Sequence, residues 1–541
     1  MTARLARSHT SRGAASAKVG VLALGLFLFG LACQVVAGLR GADETWFLQV
    51  LDRVGSGEVL YRDVFFGATP LSVEVALPLT ALFGTEVIVG KLFLAALFAG
   101  GGLATLLVAR ELRMKGPWTL GLPVLAAAVY APLATHYTSL SLLFLMLALG
   151  AVLAWLRSPS PGMRAAALAG GAAGLCFASK QNYGVYALLA VTAVFLLLGD
   201  TSRRERVRAL AVTTAVFALA AILPLVPVWL SGGGDALVDF GFANKGRYVG
   251  SAGVSYLDGV GNLFTELRLR RDRPALAHTA FLLAPLALAT LTWTLLRVRT
   301  GRDEVGAMFI FCVAALAGVF PRANVGHLTP AMPFVALGIT LAADRLAPTL
   351  PRALGRPVLA VSALWLGAGL LVTVVSFAMP IARGERAFAD LPHLRGALID
   401  PRAVATLRSD AELIATAARR EGPLLVLSPP AGTMYLVSGA RNPTRYDYPL
   451  VTAMGLNGER EVARSVRTGG IRTVCLDLGY GPPSLHPVVL ERAVTEALPP
   501  GRRLSGCRLY GPAPERPTSE GASRRETRKE ALERLQKERG A

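Results

Sequence analysis

Charge and cysteine are what this sequence has least of. Only 17% of its 541 residues are Asp, Glu, Lys or Arg, against 53% hydrophobic, and the mean hydropathy is +0.48. A chain so poor in charge is not an ordinary soluble enzyme, and one so apolar is not intrinsically disordered. Five cysteines are too few for a disulfide-stapled secreted scaffold, and glycine without a triplet period excludes collagen. Acidic residues are scarcer than basic ones, 36 against 56, for a formal charge of +20. In a soluble protein that excess would suggest a nucleic-acid partner. Here it is spread over short arginine-bearing segments between apolar runs and a cluster at Arg524, Arg525, Arg528 and Lys529, so no nucleic acid is expected. No internal period marks the halves of a repeat transporter. Gly232-Gly233-Gly234 lacks the strand, helix and lysine that make a phosphate-binding loop. What remains is a multispanning membrane protein.

The first run long enough to cross a bilayer is Val19 to Leu39, behind a basic leader containing Arg4, Arg7, Arg12 and Lys18. It reads as an uncleaved span, because Val36-Ala37-Gly38 is a poor cleavage site and the run is long for a signal peptide. Further apolar runs centre near residues 97, 126, 147, 172, 192, 219, 285, 313, 335 and 368. The expected fold is mainly α and polytopic, with about eleven transmembrane helices. The connections Arg110 to Lys115, Arg157 to Arg164, Arg203 to Arg208, Arg297 to Arg302 and Arg345 to Arg356 are short and basic, which places them in the cytoplasm. Alternation then puts residues 40–84, the loop from Ser231 to Arg273 and everything after about residue 380 outside. The cluster Arg268, Arg270, Arg271 and Arg273 in the second of these is an exception to the charge bias, tolerated because the bias weakens in long loops.

After Pro380 the pattern changes. Short apolar runs at Leu424 to Leu427, Met434 to Val437 and Ile471 to Leu478 read as strands, and Ala403 to Arg420 and Gly458 to Arg467 as polar helices between them. The organisation read from the sequence is therefore a cytoplasmic leader at 1–18, a transmembrane domain at 19–379, an extracytoplasmic soluble α/β domain at 380–514 and a charged flexible tail at 515–541. Cys33, Cys176 and Cys312 fall in apolar spans. Cys475 and Cys507 share the outer domain, where they either pair or stay reduced.

The polar residues that stand out lie in outer loops. The first loop opens Gly41-Ala42-Asp43-Glu44-Thr45-Trp46-Phe47, with two adjacent carboxylates just past the first span; a helix N-terminus would also favour them there. Tyr61-Arg62-Asp63 through Thr69-Pro70 follows, then a short apolar stretch ending Leu82-Phe83-Gly84 that suits a helix lying on the membrane surface. Three later segments also fall outside: Ser179-Lys180-Gln181-Asn182-Tyr183-Gly184, Arg322-Ala323-Asn324-Val325-Gly326-His327-Leu328-Thr329-Pro330, and Ser438-Gly439-Ala440-Arg441-Asn442-Pro443-Thr444-Arg445-Tyr446. Trp46, Tyr61, Tyr183 and Tyr248 sit near span ends, where an aromatic belt or sugar stacking would put them.

In this order of features, covering most of residues 19–480, the chain resembles the membrane-embedded C-type glycosyltransferases, in particular the bacterial relatives of protein O-mannosyltransferases and of lipid A aminoarabinose transferases. The resemblance implies a polyprenyl phosphate sugar as donor and an envelope acceptor, whether protein hydroxyl, lipid A or another glycan, used at the outer face of the cytoplasmic membrane. Asp43 matches the catalytic aspartate and would take the proton of the attacking hydroxyl in an inverting displacement. Glu44 would orient the acceptor, share the base role or hold a divalent cation; metal use stays open, with no His/Cys cluster or Asp-X-Asp spacing beside the pair. Lys180, Arg322 and His327, with Lys245 and Arg247, are candidates to grip the donor phosphate. Tyr61, Arg62, Asp63, Gln181 and Asn182 are candidate substrate contacts. A transporter or lipid flippase, or a noncatalytic envelope scaffold, are the competing readings; the first needs ionisable groups near mid-bilayer, the second needs no convergent site.

Overall fold

A computed structural model describes residues 2–39, 41–115, 121, 135–158, 162–261, 279–346, 364, 371, 375, 378–446, 450–455, 457–477 and 486–511. The apolar runs form helices. They are α1 (Thr2–Val36), α4 (Val87–Glu111), α5 (His136–Arg157), α6 (Met163–Ser179), α7 (Gln181–Leu197), α8 (Arg203–Leu230), α10 (Ala280–Arg297), α11 (Arg302–Ala317) and α12 (Val325–Leu346). Six of the described helices are long and apolar enough to cross a bilayer, counting Lys18–Val36 of α1; α6 and α7 are apolar but shorter. The expected spans near residues 126 and 368 lie outside the described residues. Leu168, Leu197, Leu219, Leu282 and Leu296 are all more than 60% exposed on the bundle surface, an apolar exterior that suits lipid rather than water.

The bundle core runs through α5, α6, α7, α10, α11 and α12. Glycine lets two of its helices touch. A Cβ on Gly170 would lie 2.3 Å from the Thr213 carbonyl, and one on Gly174 2.5 Å from that of Phe217, so the Gly/Ala-rich face of α6 meets α8 backbone to backbone. The basic helix ends gather at one end of the bundle. Arg157 pairs with Glu111 at 2.7 Å, Arg345 donates to the Leu112 carbonyl, and Arg206 donates to that of Leu196 at 2.8 Å.

The opposite end carries the outer loop. It contains α2 (Gly41–Gly55) and α3 (Leu71–Phe83), the latter closed by Gly84 at φ +81°, a backbone conformation that favours glycine. Leu82 and Phe83 at its end are 76% and 65% exposed, as a surface helix with its tip in lipid requires. Against this loop packs the C-terminal module. A two-residue antiparallel pair, β1 (Ala387–Phe388) with β2 (Leu398–Ile399), straps the start of α4 through bonds from Val87 and Ile88 to the carbonyls of His393 and Arg395. Beyond it, β3 (Leu424–Leu427), β4 (Thr473–Leu476), β5 (Pro500–Arg503) and β6 (Arg508–Tyr510) form a sheet of order β3-β4-β6-β5, parallel between β3 and β4 and antiparallel elsewhere. Helices Pro401–Glu421, Gly458–Arg467 and Val488–Ala497 accompany it.

The run Met434 to Val437 is not a strand. It lies in the helix Ala431–Ser438, buried on most sides between the sheet and α2, and a continuous apolar run does not distinguish a buried helix from a buried strand. A Cβ on Gly432 would come 2.7 Å from the Trp46 amide, so this helix seats directly on the start of α2. Cys475 and Cys507 form a disulfide with Cα atoms 5.5 Å apart, joining β4 to the turn before β6. With the two cysteines 32 positions apart in sequence, reduction or the double Cys475→Ser/Cys507→Ser exchange is expected to destabilise the module by roughly 2–4 kcal/mol. A melting curve unchanged by reductant, with five titratable thiols in the unfolded chain, would show that the bond is not formed.

Candidate active site

Helix α2 begins at Gly41, which puts Asp43 and Glu44 in its first turn, where free N–H groups and the helix dipole favour carboxylates. Adjacent positions on a helix point about 100° apart. The two carboxylates accordingly part company. Glu44 turns inward, 5% exposed, and its Oε1 lies 3.2 Å from Nζ of Lys91, which is fully buried. The same ammonium donates to the carbonyls of Gln34 at 2.8 Å and Gly38 at 2.7 Å, the last of α1 and its turn. Lys91 thus ties the end of α1, the start of α2 and the first turns of α4 into one corner. Asp43 turns outward and is exposed.

Asp43 faces cations. Its charge acts on Lys180, on the Tyr137 phenol and on the Tyr248 phenol. Lys180 occupies the one-residue break between α6 and α7, donates to Thr138 Oγ1 at 3.2 Å, and lies 5.0 and 5.4 Å from the ring centres of Tyr183 and Tyr137. Lys245 opens the helix α9 (Lys245–Ala252), donates to the Gly67 carbonyl at 2.6 Å and stands 6.0 Å from the Tyr248 ring. Burial lowers Lys245 to about 8, and burial followed by repulsion from Lys245 lowers Lys180 to about 8 despite the attraction of Asp43. Arg322 completes the group. Its strand-like segment bridges to Val254, its side chain hydrogen-bonds the Tyr248 hydroxyl, and its Nε is buried without a hydrogen-bond partner among the described residues. Asp43 thus acts directly on Lys180, Lys180 is repelled by Lys245, and Arg322 bonds the Tyr248 hydroxyl that Asp43 also acts on, so an anion beside the two lysines would relieve their repulsion.

The remaining sequence candidates hold the frame. Gln181 donates to the Gly241 carbonyl at 2.7 Å, and Asn182 to those of Gly318 and Phe320 at 2.8 and 3.1 Å, anchoring the start of α7 to two outer loops. Tyr61 is fully buried at φ +68°, and its hydroxyl donates to the Ala68 carbonyl at 2.6 Å; its ring braces the outer loop and offers no surface to a substrate. Arg62 and Asp63 pair at 2.7 Å at the loop surface. His327 is held by Asn324, whose Oδ1 lies 2.8 Å from its Nδ1. The Arg247 side chain lies outside the described residues, as does the 268–273 cluster. Trp46 is buried against Phe66 with ring centres 5.5 Å apart, so it packs the loop. Among the described residues no three His, Cys, Asp or Glu side chains come together as a metal site.

Three partners of this site escaped the sequence. Lys91 had a signal, a lone lysine inside an apolar run, which asks for a buried counter-charge. Tyr137 and Thr138 had none; they are two residues at the start of one apolar helix, placed beside Lys180 only by packing.

Neither a protein-family model nor a curated protein sequence matches the chain. Solved structures do. ArnT from Cupriavidus metallidurans, bound to undecaprenyl phosphate and in the apo state, superposes with a TM-score of 0.59 at 15% identity, over 92% of this chain and 98% of that one. The chain has the ArnT fold. The arabinofuranosyltransferase AftD from Mycobacteria gives a TM-score of 0.46 over 92% of this chain and 40% of its own. Coverage of nearly the whole of ArnT means that spans, outer loop and C-terminal module all belong to the shared architecture. The mainly α, polytopic membrane fold expected from the sequence is the one found.

Proposed function

We propose that this protein is a glycosyltransferase of the cytoplasmic membrane that moves a sugar from a polyprenyl phosphate to an envelope acceptor at the outer face, with inversion and with Asp43 as base. One observation carries the reading: the exposed carboxylate of Asp43 acts on Lys180, which neighbours Lys245, and on Tyr248, which Arg322 bonds, at the end of the bundle opposite the arginine-rich helix ends. By the positive-inside bias those arginine ends are cytoplasmic, so the site is external. The disulfide, which persists in oxidising compartments, supports the same side for the C-terminal module. ArnT, which shares the fold, binds undecaprenyl phosphate, and that supports a lipid-linked donor of the same class.

In the proposed reaction an acceptor hydroxyl attacks the anomeric carbon from the face opposite the phosphate. A carbon–oxygen bond forms as the bond from that carbon to the phosphate oxygen breaks, and the electron pair leaves with the polyprenyl phosphate. The hydroxyl proton passes to Asp43, and one displacement inverts the centre. Lys180, Lys245 and Arg322 neutralise the charge that grows on the departing phosphate, Arg322 through the Nε that is buried and unsatisfied. Against a flippase or transporter, the buried ionisable pair Glu44–Lys91 lies at the outer end of α4 rather than mid-span.

The test offers the purified protein a panel of polyprenyl phosphate sugars with candidate acceptors and follows transfer from pH 6 to 9. Transfer from at least one donor is expected. A lysine with its pKa lowered to about 8 is charged below that value and neutral above it, so donor KM should rise about tenfold as pH climbs through 8, the loss of a charged hydrogen bond. Lys245→Gln should raise donor KM at pH 7 and flatten the rise. Absence of transfer from every donor would overturn the proposal, and a donor KM independent of pH would remove the lysines from it.

A further inference from the structure

A polar cavity of about 350 Å³ lies where the outer loop meets the C-terminal module. Its walls are Arg53, Arg62 and Asp63 on one side and Thr444, Arg445 and Glu461 on the other. Resting on the glycosyltransferase reading above, we propose that this cleft holds the acceptor, and that the acceptor is an uncharged glycan chain.

Charge balance separates this cleft from the site around Asp43. Every guanidinium in it is already paired, two of them within the walls: Arg62 with Asp63 at 2.7 Å and Arg445 with Glu461 at 3.5 Å, while Arg53 Nε donates to Glu58 beside the cleft at 2.7 Å. A phosphorylated ligand would have to displace a carboxylate from each arginine and leave that carboxylate facing an anion. A sugar hydroxyl both donates and accepts, so it can bridge a guanidinium N–H and the neighbouring carboxylate without breaking the pair; an arginine has five N–H donors and a carboxylate about four acceptor positions. With Glu58 counted beside Arg53, three guanidiniums face three carboxylates, and paired donors and acceptors of this kind suit a neutral polyol better than an anion.

The cleft is also built in advance. Asn442 accepts from the Thr444 amide and hydroxyl at 3.0 and 2.9 Å and donates to the Tyr446 carbonyl at 3.1 Å, bracing the loop that carries Arg445. The Tyr446 hydroxyl donates to Glu461 at 2.9 Å, and the Phe65 amide donates to the Arg445 carbonyl at 2.6 Å, which stitches the two walls together. Asp43 and Arg53 stand ten residues apart on α2, about 15 Å at 1.5 Å per residue. An extended oligosaccharide of a few units spans that distance, with its terminal hydroxyl at Asp43 and its inner sugars in the cleft.

The test measures binding without donor and then transfer with it, in the intact protein in detergent. Neutral hexose and pentose oligosaccharides are compared with a phosphorylated disaccharide glycolipid, for the parent and for Arg62→Gln and Glu461→Gln, two changes at side chains 51% and 56% exposed. Expected are saturable binding of a neutral oligosaccharide, binding that strengthens with chain length, and about a tenfold loss in each variant, the size of a charged hydrogen bond. Preference for the phosphorylated glycolipid, or binding that neither variant weakens, would overturn the proposal. The two readings fail separately. Glycan binding sensitive to both variants with no transfer from any donor would sink the enzymatic reading, whereas transfer with an acceptor KM unmoved by both variants would sink the cleft.

Discussion

Asp43→Asn is expected to lower kcat for sugar transfer by about 10²–10⁴, the usual contribution of a positioned general base. The exchange is informative because of where Asp43 sits. In the first turn of α2 a carboxylate has an alternative occupation, satisfying free N–H groups and the helix dipole. Asparagine caps a helix about as well as aspartate, fills the same volume and cannot take a proton. If Asp43 only stabilises α2, the variant should transfer sugar at the parent rate. If it is the base, kcat should collapse while donor KM holds or falls, because removing a carboxylate that acts on Lys180 leaves that lysine more attractive to phosphate. A parent-like kcat would reject the base assignment, and a loss confined to donor KM would reassign Asp43 to binding.

Lys91→Met is expected to produce the largest loss of stability, about 3–5 kcal/mol, because it leaves a buried carboxylate without its counter-charge. Glu44 is 5% exposed and Lys91 0%. The carbonyls of Gln34 and Gly38 lose their donor in the same stroke, so the corner between α1 and α2 loosens. The variant with Glu44→Gln added should recover much of the loss, since a neutral amide no longer demands a cation. Thermal unfolding in detergent of the parent, the single and the double variants reads this directly. A single variant as stable as the parent would mean that the pair does not hold the corner. Activity supplies a second readout: Asp43 is the residue next to Glu44, and a displacement of about 1 Å there costs on the order of 10²-fold in rate. The single variant should therefore lose kcat along with stability, and the double variant should regain both in parallel.

Glu44 also shows where reading a sequence reaches its limit. As the neighbour of Asp43 in an outer loop it was a candidate to orient the acceptor, share the base role or hold a cation, and nothing in the residues on either side shows that it is instead buried. The difference is made by Lys91, 47 positions away, and by the turn of one helix that points one carboxylate at it and the other at solvent. Tyr61 is similar. Its place in a polar loop suggested a substrate contact, but a positive φ and a bond to the Ala68 carbonyl bury it.

The sequence by itself determined what depends on runs of neighbouring residues. That includes the helices from Val87 to Glu111 and from His136 to Arg157, the segregation of arginines to one set of helix ends, the surface helix stopped at Gly84, and the presence of Asp43 beyond the first span. Transfer of apolar groups out of water and the positive-inside bias act on composition, and composition is local. Tertiary structure alone decided that Asp43 acts on Lys180 and Tyr248, that Glu44 is sealed against Lys91, and that Met434 to Val437 is helical. Those outcomes depend on which helix ends pack side by side, and the close approaches that set them, such as Gly170 on Thr213 and Gly432 on Trp46, join residues that no local pattern connects.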